Sequence, residues 1–305
     1  MASAINLTGL STYVEQRSDE LLTKAILGAK TLDVIDVMLD VKYKAPLNYL
    51  DSTVVFADAS TCGWDASGAD VFTQRTIEVS PVKVNKEWCA RDMRKYWMNY
   101  QLLIDANRET LPFEEKLVDE NLKAINKQLE TAIWQESTLF TGLLGVIATD
   151  GSAGIKTYDA SAGVDYTEVI DKAYGEITDD MYARGEVTMF VSPTVFRNYI
   201  KESNAVCCAN RDMLDAASDS ITYPGDSRVT IRPTEGLTGA EISSKDVYVV
   251  ATWAKNLVFG TDVEGSENDY KVWYDDKDEM TRFKVLFNAG TQIKFPAEVI
   301  TIKEA

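Results

Sequence analysis

Histidine is absent from all 305 residues. Without an imidazole the chain cannot run Ser-His-Asp or Cys-His catalysis, ligate zinc or iron through histidine, or switch charge near neutral pH in the ordinary way. Cysteine is scarce too: Cys62, Cys89, Cys207 and Cys208 are the whole set. Adjacent Cys207 and Cys208 make a poor disulfide pair and no CxxC spacing occurs, so the thiols read as reduced and structural, in a reducing compartment. Long apolar runs are missing as well. The longest, LFTGLLGVIA at 139–148, falls far short of the ~20 residues of a membrane helix. The first positive charge is Arg17, so MASAINLTGL is not expected to act as a secretory leader. No dense basic cluster occurs either. Against 31 Lys and Arg stand 48 Asp and Glu, a formal charge of −17, and a field of that sign repels polyanions such as nucleic acid.

What is present is a chain that is 45% apolar and long enough for a large core, in one large or two medium domains. Leu10, Tyr13, Val14, Leu21, Leu22 and Ala25 recur near helical spacing until Gly28, and Thr31–Tyr43 has extended character. Residues 47–84 read as a hairpin: NYLDSTVVFADAS rises, CGWDASGAD turns and VFTQRTIEVSPVKV returns. On the returning arm Val71, Thr73, Arg75, Ile77 and Val79 share one side, and Phe72, Gln74, Thr76 and Glu78 the other. Arms of ~9–11 residues make an excursion of about 30 Å. Polar on both faces, such an excursion cannot bury itself and must lie on something else.

KEWCARDMRKYWMNYQLLIDA, rich in aromatics, is expected to be helical, and the clearest helix follows at 112–135. Pro112 suits its first turn, Glu114 and Glu115 complement its dipole, and Phe113, Leu117, Leu122, Ile125, Leu129 and Ile133 form one apolar stripe. Gly142, Gly145, Gly151, Gly154 and Gly163 mark a crossover into an α+β unit over 164–262. There VDYTEVIDKAYGEI and SPTVFRNYIKES, the latter capped by Ser192, read as helices, and EVTMFVS, RVTIRP and DVYVVAT as strands. YKVWY, MTRFKVLFNAG and TQIKFPAEVITIKE complete a meander that packs one face on the long helix.

Sites for chemistry are thin. The turn Asp275, Asp276, Lys277, Asp278, Glu279 offers carboxylates to a hard cation but lacks the ligand order of a calcium loop, and reads as a solvated tip. Glu264, Glu267, Asp269 and the pair Asp179–Asp180 invite a carboxylate-dependent hydrolase, which needs a cleft that sequence cannot supply. Ser80 and Lys83 match a Ser-x-x-Lys spacing in a strand rather than at a helix start, and GSAG at 151–154 lacks the ending of a phosphate loop. Trp88, Tyr96, Trp97 and Tyr100 lack basic neighbours in the arrangement that base stacking needs, and read as packing. Nothing calls for a metal or cofactor.

LTGLSTYVEQRSDELLTKAILGAKT, VVFADASTCGWDASGADVFTQRTIEVSPVKVN, LPFEEKLVDENLKAINKQLETAIWQ and VLFNAGTQIKFPAEVI, in that order, carry a resemblance. The chain resembles the Hong Kong 97-like major capsid proteins of tailed bacteriophages, of the type found in phages of gut bacteria. The resemblance covers essentially the whole chain and rests on the ordered set rather than on one motif. It implies an α+β fold with an N-arm (1–44), an extended hairpin loop (45–85), a peripheral domain around a spine helix (86–145 and 262–305) and an axial domain (146–261). It implies a non-enzymatic subunit that forms pentamers and hexamers of an icosahedral shell, the virion head assembled in the host cytoplasm. The shell would enclose double-stranded DNA without specific binding or any membrane association. It also implies a portal protein as partner, with scaffolding and decoration proteins as further ones. Tyr13, Trp64, Asp65, Phe72, Gln74 and Arg75 are the expected inter-subunit contacts.

The family's founding member crosslinks a loop lysine to a neighbour's asparagine. Here no lysine lies between Lys44 and Lys83, so Asn288 has no partner and the shell is expected to be non-covalent. Only about 45 residues precede the loop, so any scaffold is expected to be a separate protein. An acidic inner surface would keep packaged DNA from sticking to the wall. Two alternatives stand beside this reading: a cargo-enclosing encapsulin shell of the same fold, and an acidic cytoplasmic hydrolase.

Overall fold

Two sheets, one long helix and a hairpin organise the chain; the computed structural model describes residues 21, 27–56, 68–89, 113–161, 163–205, 220–262, 270–275, 277, 278 and 280–305. A 3₁₀ turn (Lys30–Asp33) leads to strands β1 (Asp36–Met38), β2 (Lys44–Val54), β3 (Gly68–Glu78) and β4 (Ser80–Cys89). Helices α1 (Phe113–Gln135) and α2 (Leu143–Thr149) follow. Then come β5 (Gly154–Tyr158), α3 (Tyr166–Gly175), α4 (Asp179–Arg184), β6 (Val187–Val191), α5 (Pro193–Ala205), β7 (Ile221–Tyr223) and β8 (Asp226–Pro233). The chain closes with β9 (Val247–Trp253), β10 (Leu257–Asp262), β11 (Tyr270–Asp275), β12 (Met280–Ile293) and β13 (Ile300–Glu304).

The first sheet runs β1-β10-β12-β11, with β4 along the other side of β12. Strand β12 alternates strictly: Phe283, Val285 and Phe287 are buried, while Arg282, Lys284 and Leu286 are partly exposed. The buried row meets Leu122, Ile125 and Leu129 of α1, and Ile133 continues the stripe into the same core. Helix on one sheet face, solvent on the other, is what a half-apolar strand and an amphipathic helix require.

The second sheet, β5-β13-β9-β6-β8-β7, is buried at its centre, where Val187–Val191 has no exposed side chain. It forms a second core with Val169 and Ile170 of α3 and Val195 and Tyr199 of α5. The caps follow from side-chain chemistry. Ser192 Oγ accepts the Val195 N–H at 3.2 Å and Asp165 accepts the N–H groups of Thr167 and Glu168.

Several expectations need correction. Lys86–Cys89 are strand, not the start of a helix: Val82, Val84, Lys86 and Trp88 alternate with exposed Pro81, Lys83, Asn85 and Glu87, and β12 pairs with the whole row. The returning hairpin arm is two strands. It breaks at Val79, whose N–H goes to Tyr43 O (2.9 Å), and exchanges β2 for β12 as partner. The stretch Thr31–Tyr43 holds only the short strand Asp36–Met38 after its 3₁₀ turn. The glycine-rich crossover contains helix α2, whose Leu143, Leu144 and Ile147 fill the core beside α1. The meander ends at Ile293, because Thr291–Ile293 continue β12; the last strand, Ile300–Glu304, enters the other sheet between β5 and β9.

Candidate assembly surface

Direct pairing from Lys44↔Glu78 to Val54↔Gly68 gives the β2–β3 hairpin two distinct faces. Ala45, Leu47, Tyr49, Thr73, Arg75 and Ile77 lie on one; Lys44, Pro46, Asn48, Phe72, Gln74, Thr76 and Glu78 lie on the other. At its root the first face is welded to the molecule. Leu47 and Ile77 are buried with Val41, Val79 and Val258 in a small third core, and the Tyr49 ring stands 4.8 Å from Phe295. Two glycines make this approach possible. A Cβ on Gly290 would lie 2.2 Å from Glu78 O, and one on Gly260 would lie 2.8 Å from Ile77 Cδ1.

Polar groups complete the anchor. Arg75 Nη1 donates to Asp150 Oδ2 at 2.9 Å, just past the end of α2, and Gln292 Nε2 donates to Thr76 O at 2.9 Å. Burial pushes the Asp150 carboxyl up, but hydrogen bonds from Ser152 and Arg75 more than offset it and hold the group below its ordinary value. Burial raises the Tyr49 hydroxyl to about 12. On the outer face Lys44 pairs with Glu78 at 2.9 Å, and this hydrogen bond raises the lysine's pKa. A groove of about 500 Å³ runs beside the root, lined by Arg75, Glu78, Thr141, Asp150, Thr291 and Gln292.

Beyond Tyr49 the hairpin leaves the molecule. Val54, Asp70, Phe72, Thr73 and Gln74 are all exposed, Phe72 at 80% and Phe56, just past the arm, at 97%. An exposed phenylalanine is ordinary singly. Val54, Val55, Phe56 and Phe72 together on one projecting ribbon are a surface awaiting cover.

Among the expected contact residues, Phe72 and Gln74 stand on the free face, while Arg75 turns inward to Asp150. Tyr13, Trp64 and Asp65 lie outside the described residues, as do Tyr96, Trp97, Tyr100, Glu264, Glu267, Asp269, Cys62, Cys207 and Cys208. The expectation of polarity on both faces holds for the outer one, which carries Lys44, Asn48, Gln74, Thr76 and Glu78, and fails for the inner one, whose root buries Leu47 and Ile77; Val54 and Phe72 add exposed apolar groups. Sequence reasoning passed over Val54, Val55 and Phe56, whose signal was the uninterrupted VVF in an otherwise polar arm.

Sites for chemistry stay dispersed. Ser80 and Lys83, an odd number of residues apart on β4, point to opposite sheet faces. Arg282 engages both Asp275 and Asp278 at the acidic turn. Asp179 and Asp180 occupy the first turn of α4, where the helix dipole favours them. Among the described residues, no three Asp, Glu, Cys or His side chains are grouped to hold a metal. No described helix is long and apolar enough to cross a membrane.

No protein-family model and no curated protein matches the sequence. Solved structures do match along nearly the full chain. The satellite phage P4 procapsid with its size-determination protein superposes at a TM-score of 0.63 and 9% identity, over 94% of this chain and 90% of that one. The capsid of the native GTA particle gives 0.61 and 12%, over 92% and 90%. Mycobacterium phage Ogopogo gives 0.59 and 11%, over 91% and 92%. At such identities the likeness is one of fold: this α+β chain has the Hong Kong 97-like fold of phage capsid proteins.

Proposed function

We propose that the chain is the major capsid protein of a tailed phage, a structural subunit that assembles as pentamers and hexamers into an icosahedral head around double-stranded DNA. One observation carries this: a hairpin anchored at its root by a third core and an ion pair, yet exposed further out at Val54, Asp70 and Phe72. A rigid root and a bare apolar tip suit an arm whose partner surface belongs to another copy. Many such arms, each tying one subunit to its neighbours, make a closed shell strong from individually weak contacts.

The division into an N-arm (1–44), hairpin loop (45–85), peripheral domain (86–145 and 262–305) and axial domain (146–261) goes with this reading. So do assembly in the host cytoplasm, a portal protein, separate scaffolding and decoration proteins, and the absence of catalysis. Electron microscopy and size-exclusion chromatography of the purified protein test it. Shells, or capsomers of five and six copies, are expected; a monomer or dimer under all assembly conditions refutes it.

A further inference from the structure

Two stretches of chain that pass between the sheets lie against each other. Residues 254–256 lead from β9 of the second sheet to β10 of the first, and residues 294–299 lead from β12 of the first to β13 of the second. Asn256 staples them. Its side chain is fully buried: Oδ1 accepts the Phe295 N–H at 2.7 Å, while Nδ2 donates to Phe295 O at 3.0 Å and to Thr252 Oγ1 at 2.9 Å. Thr252 Oγ1 in turn donates to Glu298 O at 2.9 Å. Both polar backbone atoms of Phe295 are thus held, as a neighbouring strand would hold them.

The Phe295 ring stands where three elements meet. Tyr49 of the hairpin lies on it with ring centroids 4.8 Å apart, Trp253 at the end of β9 lies at 6.1 Å, and the Arg184 guanidinium of α4 sits 4.2 Å from the centroid. All three separations fall in the attractive range for ring–ring and cation–ring contacts. Glu298, 8% exposed, holds two of these partners at once. Its Oε1 accepts from Arg184 Nε at 2.7 Å and its Oε2 from Trp253 Nε1 at 2.6 Å. Tyr49 is seated differently. Among the described residues nothing bonds its buried hydroxyl, and its ring contacts with Phe295 and the third core hold it.

We infer that Phe295 links the hairpin to the second sheet: the seat of Tyr49 and the grip of Glu298 on Arg184 and Trp253 stabilise each other through this ring. With its backbone clamped by Asn256, the ring answers to its partners by turning about its side-chain bonds. Loosening Arg184 lets the ring turn toward α4 and withdraws the surface on which Tyr49 rests; unseating Tyr49 does the converse. Contacts that share one packed partner are coupled rather than additive. The orientation of the hairpin root therefore follows the second sheet, whether or not the chain assembles.

Hydrogen exchange and thermal melting of the full, unassembled chain test the link. Arg184→Met removes the cation and its ion pair, and is expected to speed exchange across the hairpin root, at Leu47, Tyr49, Thr73 and Ile77, by about threefold to tenfold. Tyr49→Leu is expected to speed exchange in α4 by a similar factor, whereas Tyr49→Phe, which keeps the ring, leaves α4 at the wild-type rate. Val187–Val191 of β6 serve as the gauge of general destabilisation and should not respond. The drop in melting temperature of Arg184→Met/Tyr49→Leu should be smaller than the two single drops together. If Arg184→Met leaves the hairpin root at the wild-type rate, if β6 accelerates as much as the root, or if the two drops add, the link through Phe295 is overturned and the capsid reading is untouched. If Tyr49→Phe loosens α4 as Tyr49→Leu does, the hydroxyl rather than the ring carries the effect, and the inference fails.

Discussion

Among the described residues Glu130 is the most deeply buried charged side chain. It sits on α1, 4% exposed, and accepts the Thr31 N–H at 3.0 Å and the Thr31 hydroxyl proton, while Trp134 Nε1 donates to Thr31 Oγ1 at 3.1 Å. Gly236 must be glycine for the crossing, since a Cβ there would lie 2.3 Å from Glu130 O. The knot ties the 3₁₀ turn to the long helix. Burial raises the Glu130 carboxyl, although its bonds from Thr31 oppose this. A raised folded pKa means that the native state holds the proton more tightly. The stabilising contribution is therefore full below the unfolded value of 4.5 and is lost as pH rises through the folded pKa. Glu130→Gln keeps the acceptor and abolishes this slope, so urea melts at successive pH values should show the variant gaining on the wild type as pH rises. Glu130→Ala leaves the Thr31 donors unpaired and is expected to cost about 1–3 kcal/mol. Gly290→Ala, driven against the Glu78 carbonyl, is expected to cost on the order of 3 kcal/mol and to loosen the hairpin root in amide exchange.

At the scale of elements, the hairpin divides into an anchored half and a free half, and substitutions should divide with it. Arg75→Met breaks the partly buried pair with Asp150 and is expected to destabilise the unassembled subunit by about 1–2 kcal/mol, read by thermal melting. Phe72→Ser removes nothing that the lone chain covers, so its stability should stay within about 0.5 kcal/mol of the wild type while the shell yield drops. Helix α1 behaves as a core element: Leu129→Ala should cost about 2–5 kcal/mol. Much of α1 was legible in advance, because Leu122, Ile125, Leu129 and Ile133 repeat at its own period. The strand Lys86–Cys89 was not, because Trp88 and the aromatics beyond it obscured a period of two that becomes plain only when β12 lies alongside.

At the scale of the whole molecule, the net charge of −17 is spread over a fold that leaves Val54, Phe56 and Phe72 exposed on the hairpin, and the capsid reading proposed above carries a consequence for the particle. The assembled particle, boiled in detergent, should run as a single band at 33.9 kDa, since no lysine lies between Lys44 and Lys83 to form a covalent link from the loop. A ladder above that band would contradict a non-covalent shell.

Local information decided the parts governed by nearest-neighbour physics. The absent histidine removed whole classes of chemistry, the 3.6-residue stripe made α1, the alternation made β12, and Ser192 capped α5. Distance along the chain hid the rest. The paired Arg75 and Asp150, the knot of Thr31 with Glu130, and the entry of β13 between β5 and β9 join residues far apart in sequence, which no local period encodes. The opposition of Lys271 on β11 to Lys284 on β12 is of the same kind. Strand register sets it, and register follows from which face each strand buries, a choice made only once sheet and helix have closed on one core.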